Sequence, residues 1–219
     1  MKALLINCTL KPSPAFSNTG ALINKAIRLL NNYGVQTEEL RLVDYDVKTG
    51  TSSDEGNGDE WPAILNKIKQ CDIFIVGSPI WMGHLSSTAQ HVIERLDAVF
   101  HEDELADEST GQYFTYNKVA GCLITGNEDG AHSSAAQFLW AMQEAGFTIP
   151  PNVNAYWVGL AGGDKDYVEA GGEKYFYTNY TLQYMVANLV YFAKLLKANP
   201  IDTNLKMLKE LAKQESDQQ

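Results

Sequence analysis

Short unbroken apolar runs alternate along the chain with apolar stripes at helical spacing. Ala3-Leu4-Leu5-Ile6, Ile73-Phe74-Ile75-Val76 and the stretch from Val119 to Thr125 carry no polar alternation, the pattern of strands buried on both faces. Val35 to Val43 alternates polar and apolar residues and reads as an edge strand, and Phe147 to Val158 holds a last strand interrupted by Pro150 and Pro151. Between them, Leu22, Ile23, Ala26, Ile27, Leu29 and Leu30 mark a helix over 18–31 that Ser17 or Asn18 can cap. Trp61, Ile64, Leu65 and Ile68 mark a second, opened by Asp59 with Pro62 in its first turn. Ala89 to Val99, Ala135 to Met142 and Leu182 to Leu196 carry three more stripes. The tail after Pro200 is polar but keeps Leu205, Leu208 and Leu211 at helical spacing. Strands alternating with helices predict an α/β fold, a doubly wound five-stranded parallel sheet with helices on both faces. One such domain is expected over 1–199, with 200–219 as a polar helical tail.

In such sheets ligands bind beyond the carboxyl ends of the strands, so three loops are candidates. The first runs from Asn7 to Thr19 and is rich in hydroxyls. Thr9, Ser17 and Thr19, the Asn18 amide and the helix N-terminus can surround a phosphate, with Lys11 as the one cation; simple helix capping would explain the same residues. No G-x-x-x-x-G-K-[ST] and no G-x-G-x-x-G follows the first strand, which disfavours nucleotide hydrolysis and an ordinary dinucleotide site. A cysteine phosphatase would need Arg six residues after Cys8, where Pro14 stands.

The second loop, Gly77-Ser78-Pro79-Ile80-Trp81-Met82-Gly83-His84, is apolar at a strand end. It needs a flat apolar group, a neighbouring loop or another subunit to cover it. The third, Thr125-Gly126-Asn127-Glu128-Asp129-Gly130-Ala131-His132, has the glycines and Asn/Asp of a tight turn with outward amides. His132 and His84 can hydrogen-bond a ligand, and neither stands at a metal-ligand spacing, so no metal is expected.

Net charge narrows the partners. With 17 Lys+Arg against 27 Asp+Glu, a net −10 over 219 residues, the chain repels nucleic acid unless it gathers a basic face, and no Lys/Arg cluster offers one. The apolar runs fall far short of the ~20 residues of a membrane span, and the first residues do not read as a signal peptide, so a cytoplasmic protein is expected. Cys8, Cys71 and Cys122 are odd in number and far apart, which reads as buried thiols rather than a disulfide framework.

Ser17-Asn18-Thr19, Gly77 to Gly83 and Thr125 to Gly130 together resemble the phosphate, flavin-ring and pyrimidine-side loops of the flavodoxin-like NAD(P)H-dependent FMN reductases, over roughly residues 1–160. The resemblance implies strand order 2-1-3-4-5 and FMN held non-covalently by Thr9, Lys11, Ser17, Asn18, Thr19, Ser78, Pro79, Ile80, Trp81, Met82, Gly83, Thr125, Gly126, Asn127, Glu128, Asp129, Gly130 and His132. It also implies NADPH or NADH as reductant, a small-molecule electron acceptor, and a homodimer. The flavin carries the chemistry, so no catalytic side chain is expected. The sequence departs from the family in its longer, proline-broken phosphate loop, which lacks the Arg often found there, and in the extension over 159–172. Five of its 11 tyrosines fall within 175–191. Two other classes remain: an electron carrier docking a basic partner through Glu102-Asp103-Glu104 and Asp107-Glu108, and a flavin-free scaffolding domain.

Overall fold

The computed structural model describes residues 1–163 and 165–217. Its sheet is built from β1 (Lys2–Asn7), β2 (Gln36–Arg41), β3 (Ile73–Trp81), β4 (His84–Leu85), β5 (Val119–Gly126) and β6 (Asn154–Val158). Five strands run parallel in the spatial order β2-β1-β3-β5-β6, and β4 pairs only with the end of β3. Setting the short β4 aside, this is the 2-1-3-4-5 order of a flavodoxin-like fold.

Period-two alternation decides which helix each strand residue meets. Ala3, Leu5, Ile73 and Ile75 face one layer, made by α1 (Asn18–Asn32) and α5 (Phe176–Ala198). Leu4, Ile6, Phe74 and Val76 face the other, made by α2 (Trp61–Gln70), α3 (Ser87–Leu96) and α4 (Ala131–Glu144). The final helix, α6 (Leu205–Ser216), buries none of its residues, and Leu208 and Leu211 stay exposed. The Asn204 side chain caps it, accepting from Met207 N at 2.9 Å. No described helix is long and apolar enough to cross a membrane. Cys8, Cys71 and Cys122 are buried free thiols, and burial pushes Cys71 and Cys122 up to about 12.

The main departure from the sequence reading lies at the end of β3. The run was expected to stop near Val76 and give way to a loop. It continues to Trp81, turns through Met82 and Gly83, and returns as β4. Both turn residues have positive φ, 52° and 78°, the geometry that matches a two-residue turn to strand twist. Gly at the second position signals it; Met at the first hides it. At the other end of that strand segment, a Cβ on Gly77 would stand 2.6 Å from Ile23, so Gly77 is what lets α1 lie so close to the sheet.

The polar stretch 45–60 is pinned by one residue that the pattern did not single out. Arg95 of α3 is fully buried. It donates to the Ser52 and Lys48 carbonyls and pairs with Asp59 at 2.7 Å, and its guanidinium lies 5.5 Å from the Trp61 ring. Asp59 in turn accepts from the amides of Lys48, Glu55 and Trp61. Burial pushes the Asp59 carboxyl up, but Arg95 and these amides outweigh it and hold the carboxyl well below the usual carboxylate range. A depressed folded-state pKa contributes stability above the unfolded value that is lost as pH falls. Arg95→Met, which strands a buried carboxylate, is expected to cost about 3–5 kcal/mol in denaturant melts. The wild-type protein should lose stability progressively below about pH 4.

Candidate functional site

A cleft of about 280 Å³ opens at the carboxyl edge of the sheet. It gathers Thr9, Lys11, Asn18 and Thr19 from the first loop, Pro79, Ile80 and Trp81 from the end of β3, and Thr125, Gly126, Asn127 and Glu128 from the third loop. The remaining expected residues lie outside its lining. Ser17 is the N-cap of α1: its Oγ accepts from Gly20 N at 3.0 Å. Ser78 is buried, its Oγ accepting from Ser86 N at 3.0 Å. Met82 and Gly83 form the outer turn. Gly130 N donates to Asp129 Oδ1 at 2.7 Å, so this amide does not face a ligand as the turn pattern suggested. His132 Nε2 and the Tyr156 hydroxyl lie 2.9 Å apart, and His84 Nδ1 meets Gln137.

One end of the cleft is shaped for an anion. Asn7 Oδ1 accepts from Thr9 N at 3.2 Å, and Thr9 Oγ1 from Lys11 N at 3.4 Å. From β2, Arg41 donates to the carbonyls of Lys11 and Ala15 at 3.0 and 2.8 Å. Asp44 accepts from both Ser13 N and Ser13 Oγ, bonds that hold its carboxyl below the usual range. So braced, the loop delivers the chain to α1, where the backbone amides of Phe16, Ser17, Asn18 and Thr19 donate to no protein group among the described residues. Free amides at a helix N-terminus, aligned with its dipole, form an anion site. On the floor, Thr19 Oγ1 and Thr125 Oγ1 share a hydrogen bond of 2.7 Å.

The other end is a flat apolar slot. Ile80 packs beneath Gly126, while Trp81 is 54% exposed at the rim. The β3–β4 turn is fastened to the third loop. Met82 N donates to Glu128 Oε1 at 2.8 Å, and Ser133 Oγ to the Gly83 carbonyl at 2.7 Å. Gly130, with φ 128°, lies so close that a Cβ would come 2.6 Å from the Gly83 backbone.

Four lining residues were missed: Leu10, Trp157, Asp166 and Tyr167. Trp157 sits at the carboxyl end of the last strand, and the edge rule could have found it. Asp166 and Tyr167 lie on the segment after β6, which carries no periodicity. Among the described residues, no three His, Cys, Asp or Glu cluster to hold a metal ion.

The family described as NADPH-dependent FMN reductase matches residues 1–159, and the chain belongs to it. The 8-demethyl-8-aminoriboflavin-5'-phosphate synthase of Streptomyces davaonensis is 39% identical over 226 residues, 99% of this chain and 86% of that protein. A Mycobacterium bovis protein described as the divalent metal cation transporter MntH is 40% identical over 204 residues; these cover 90% of this chain and 29% of that protein. The crystal structure of RosB with bound intermediate 8-demethyl-8-formylriboflavin-5'-phosphate superposes with a TM-score of 0.88 at 37% identity, covering 98% of this chain and 87% of that one. The protein is thus an enzyme of a flavin-handling, oxidoreductase-type family.

The two hydroxyls at the start of α1 separate by role. Ser17→Ala should cost about 1 kcal/mol of stability as a lost cap while leaving flavin affinity within a few-fold. Thr19→Ala strands the buried Thr125 hydroxyl and should cost about 1–3 kcal/mol of stability as well as raise the FMN dissociation constant about 10-fold, roughly one hydrogen bond to a charged group. The loss of affinity, not of stability, is what separates it from Ser17→Ala. Thermal melts and flavin fluorescence titrations of both variants read the two effects.

Proposed function

We propose that the chain holds FMN non-covalently in this cleft and passes hydride from NADPH or NADH to a small acceptor such as a quinone or a free flavin. The observation that carries this reading is the pairing of unlike ends. A run of unpartnered helix amides stands at one end and an apolar slot between Pro79, Ile80, Trp81 and Trp157 at the other. That gradient suits a phosphate joined to a flat ring.

Bound FMN would supply the two-electron chemistry, as cofactors of this class do. The side chains bind, orient and tune. The α1 amides and Lys11 hold the phosphate, and Arg41, which grips two carbonyls of the loop, keeps those amides aimed. Trp81, half-exposed at the rim of the slot, would give a bound ring aromatic contact, which contributes beyond area burial. The amides of Asn127, Glu128 and Asp129 have no protein partner among the described residues and suit negative charge at the ring's carbonyl edge. No acid or base from the chain is required. The reading places the protein in the cytoplasm, where reduced pyridine nucleotide is made.

A second reading has one specific support: the relative from Streptomyces davaonensis is named for making a flavin phosphate, so the flavin could itself be the substrate here. Incubating the purified holoprotein with NADPH or NADH and a quinone, and separately in air with a primary-amine donor, distinguishes the two, since placing an amino group on the flavin requires both an oxidant and a source of nitrogen. The first reading expects many nucleotides oxidised per flavin and released FMN of unchanged mass. A flavin of altered mass supports the second reading, and released FAD contradicts the FMN assignment. Steady-state turnover also separates the reductase from an electron carrier. The acidic stretch that suggested a carrier is partly committed: Asp107 accepts from both hydroxyls of Ser109 and Thr110, and Glu102 from Ser53 N.

We also propose a homodimer. Ile80 is already buried within the chain, so the argument moves to Met82, 85% exposed, and to α5. There Phe176, Tyr180 and Tyr184 form an exposed ladder with ring centroids 5.4 and 4.2 Å apart, an apolar face of the kind that marks association surfaces. Light scattering at micromolar concentration should give twice the chain mass; Tyr180→Lys should shift it toward the monomer. A monomer mass for the wild-type protein would contradict the dimer.

A further inference from the structure

We propose that Asp166 is a specificity-determining residue that selects flavins carrying a polyol side chain, a proposal that rests on the FMN reading above. The carboxylate stands between the two ends of the cleft. Its Oδ2 accepts from the side-chain amide of Asn18, the first residue of α1, at 3.0 Å. Its Oδ1 accepts from the side-chain amide of Asn127, the first residue after β5, at 2.9 Å. Asn18 belongs to the anion end and Asn127 to the ring end. A ligand that spans both must carry its connecting chain past Asp166.

The chemistry of that middle position is restrictive. An ionised carboxylate offers about four acceptor sites and no donor. Two are taken by the amides, and the side chain is exposed along the cleft wall, so the rest are open to a ligand. Hydroxyl groups fill them with charge-assisted hydrogen bonds. An apolar linker would cover the charge without giving it a donor, which is unfavourable. A phosphate in the same place would meet a like charge. Asp166 therefore sorts the ligand along its length: hydroxyls at the centre, the anion beyond them at the α1 amides.

The carboxylate is also held in place rather than loosely tethered. Asn18 binds the segment twice, donating to Asp166 and accepting from Val168 N at 3.1 Å. The segment closes on itself through Ala170 N to the Asp166 carbonyl and Gly172 N to the Tyr167 carbonyl, at 2.8 and 2.7 Å. Tyr167, buried, packs edge-on against Trp157 with ring centroids 5.6 Å apart. This stretch follows the residues that the family match covers, 1–159, so the family pattern assigns it nothing.

The test compares three flavins on one chain. Protein stripped of flavin is titrated with FMN, riboflavin and lumiflavin, the last having the ring but no polyol. In Asp166→Ala, the dissociation constants of FMN and riboflavin are expected to rise about 10-fold, with lumiflavin unchanged. Asp166→Asn, which keeps one acceptor oxygen and the side-chain size, should lie between, and melting midpoints equal to wild type show that both variants fold. Equal losses for all three ligands, or no loss for any, overturn the proposal. Tighter FMN binding with riboflavin unchanged also overturns it, since Asp166 would then act on the phosphate. Wild-type protein that binds no FMN refutes the underlying reading and this proposal with it; wild-type binding without the Asp166 effect refutes this proposal alone.

Discussion

The close seating of α1 on the sheet is the constraint from which the site follows. Leu22, Ile23, Ala26 and Leu30 are buried against Ala3, Leu5, Ile73 and Ile75, and each of the leucines and isoleucines contributes about 1.5–3 kcal/mol on burial. The approach is closest where Ile23 meets Gly77, a position with no room for a Cβ. That packing fixes not only the helix but the direction in which its first amides point. Because β1 is flanked by β2 and β3, the loop from β1 to α1 leaves the sheet where strand order reverses, and a crevice is left there for a ligand. The anion end of the cleft is thus a consequence of core packing.

The central strands and all six helices were legible because burial on two faces and helical spacing leave a pattern that local propensity supports. The end of β3 was not, since a Pro-Ile-Trp-Met run followed by Gly does not look like a strand entering a turn. Its register is set by pairing with β5 and by Leu85 opposite Ile80, which are contacts between segments distant in sequence or folded back on it. The cleft residues were legible to the extent that the edge rule names whole loops. It could not say which side chains within a loop turn inward. Ser17 and Ser78 have the right chemistry, yet local backbone amides and Ser86 claim them first, the competition that makes serine a capping residue as readily as a ligand. Arg95 left no signal at all: one charged residue on a helix stripe is ordinarily a surface residue, and only the carbonyls of the 48–52 stretch and Asp59 make its burial tolerable.

The missing phosphate-loop arginine is offset by structure rather than by another direct charge. Arg41 reaches the loop from β2, but it spends its guanidinium on the carbonyls of Lys11 and Ala15. Its effect on an anion is geometric first: turning those carbonyls toward itself leaves the opposite side of the loop to amides. Lys11 adds a mobile point charge, weaker in direction than a guanidinium fork. In a chain of net charge −10, such a site discriminates by shape and amide placement more than by long-range attraction, which salt would screen in any case.

The ring end shows the same economy of means, with two loops made rigid by each other. The Met82 amide is held by Glu128, the Gly83 carbonyl by Ser133, and Gly130 lets the backbones touch. Neither loop would keep its shape alone: the turn carries a methionine at φ 52°, a conformation that costs of order 1–3 kcal/mol for a residue with a side chain. The contacts that offset this cost also bear on the width of the apolar slot, because Trp81 precedes the strained residue directly and both Trp81 and Glu128 line the cleft. Strain, fastening and slot width are therefore one feature. A change at Gly130, which lies outside the cleft lining, would act on the slot through the two backbones it lets touch.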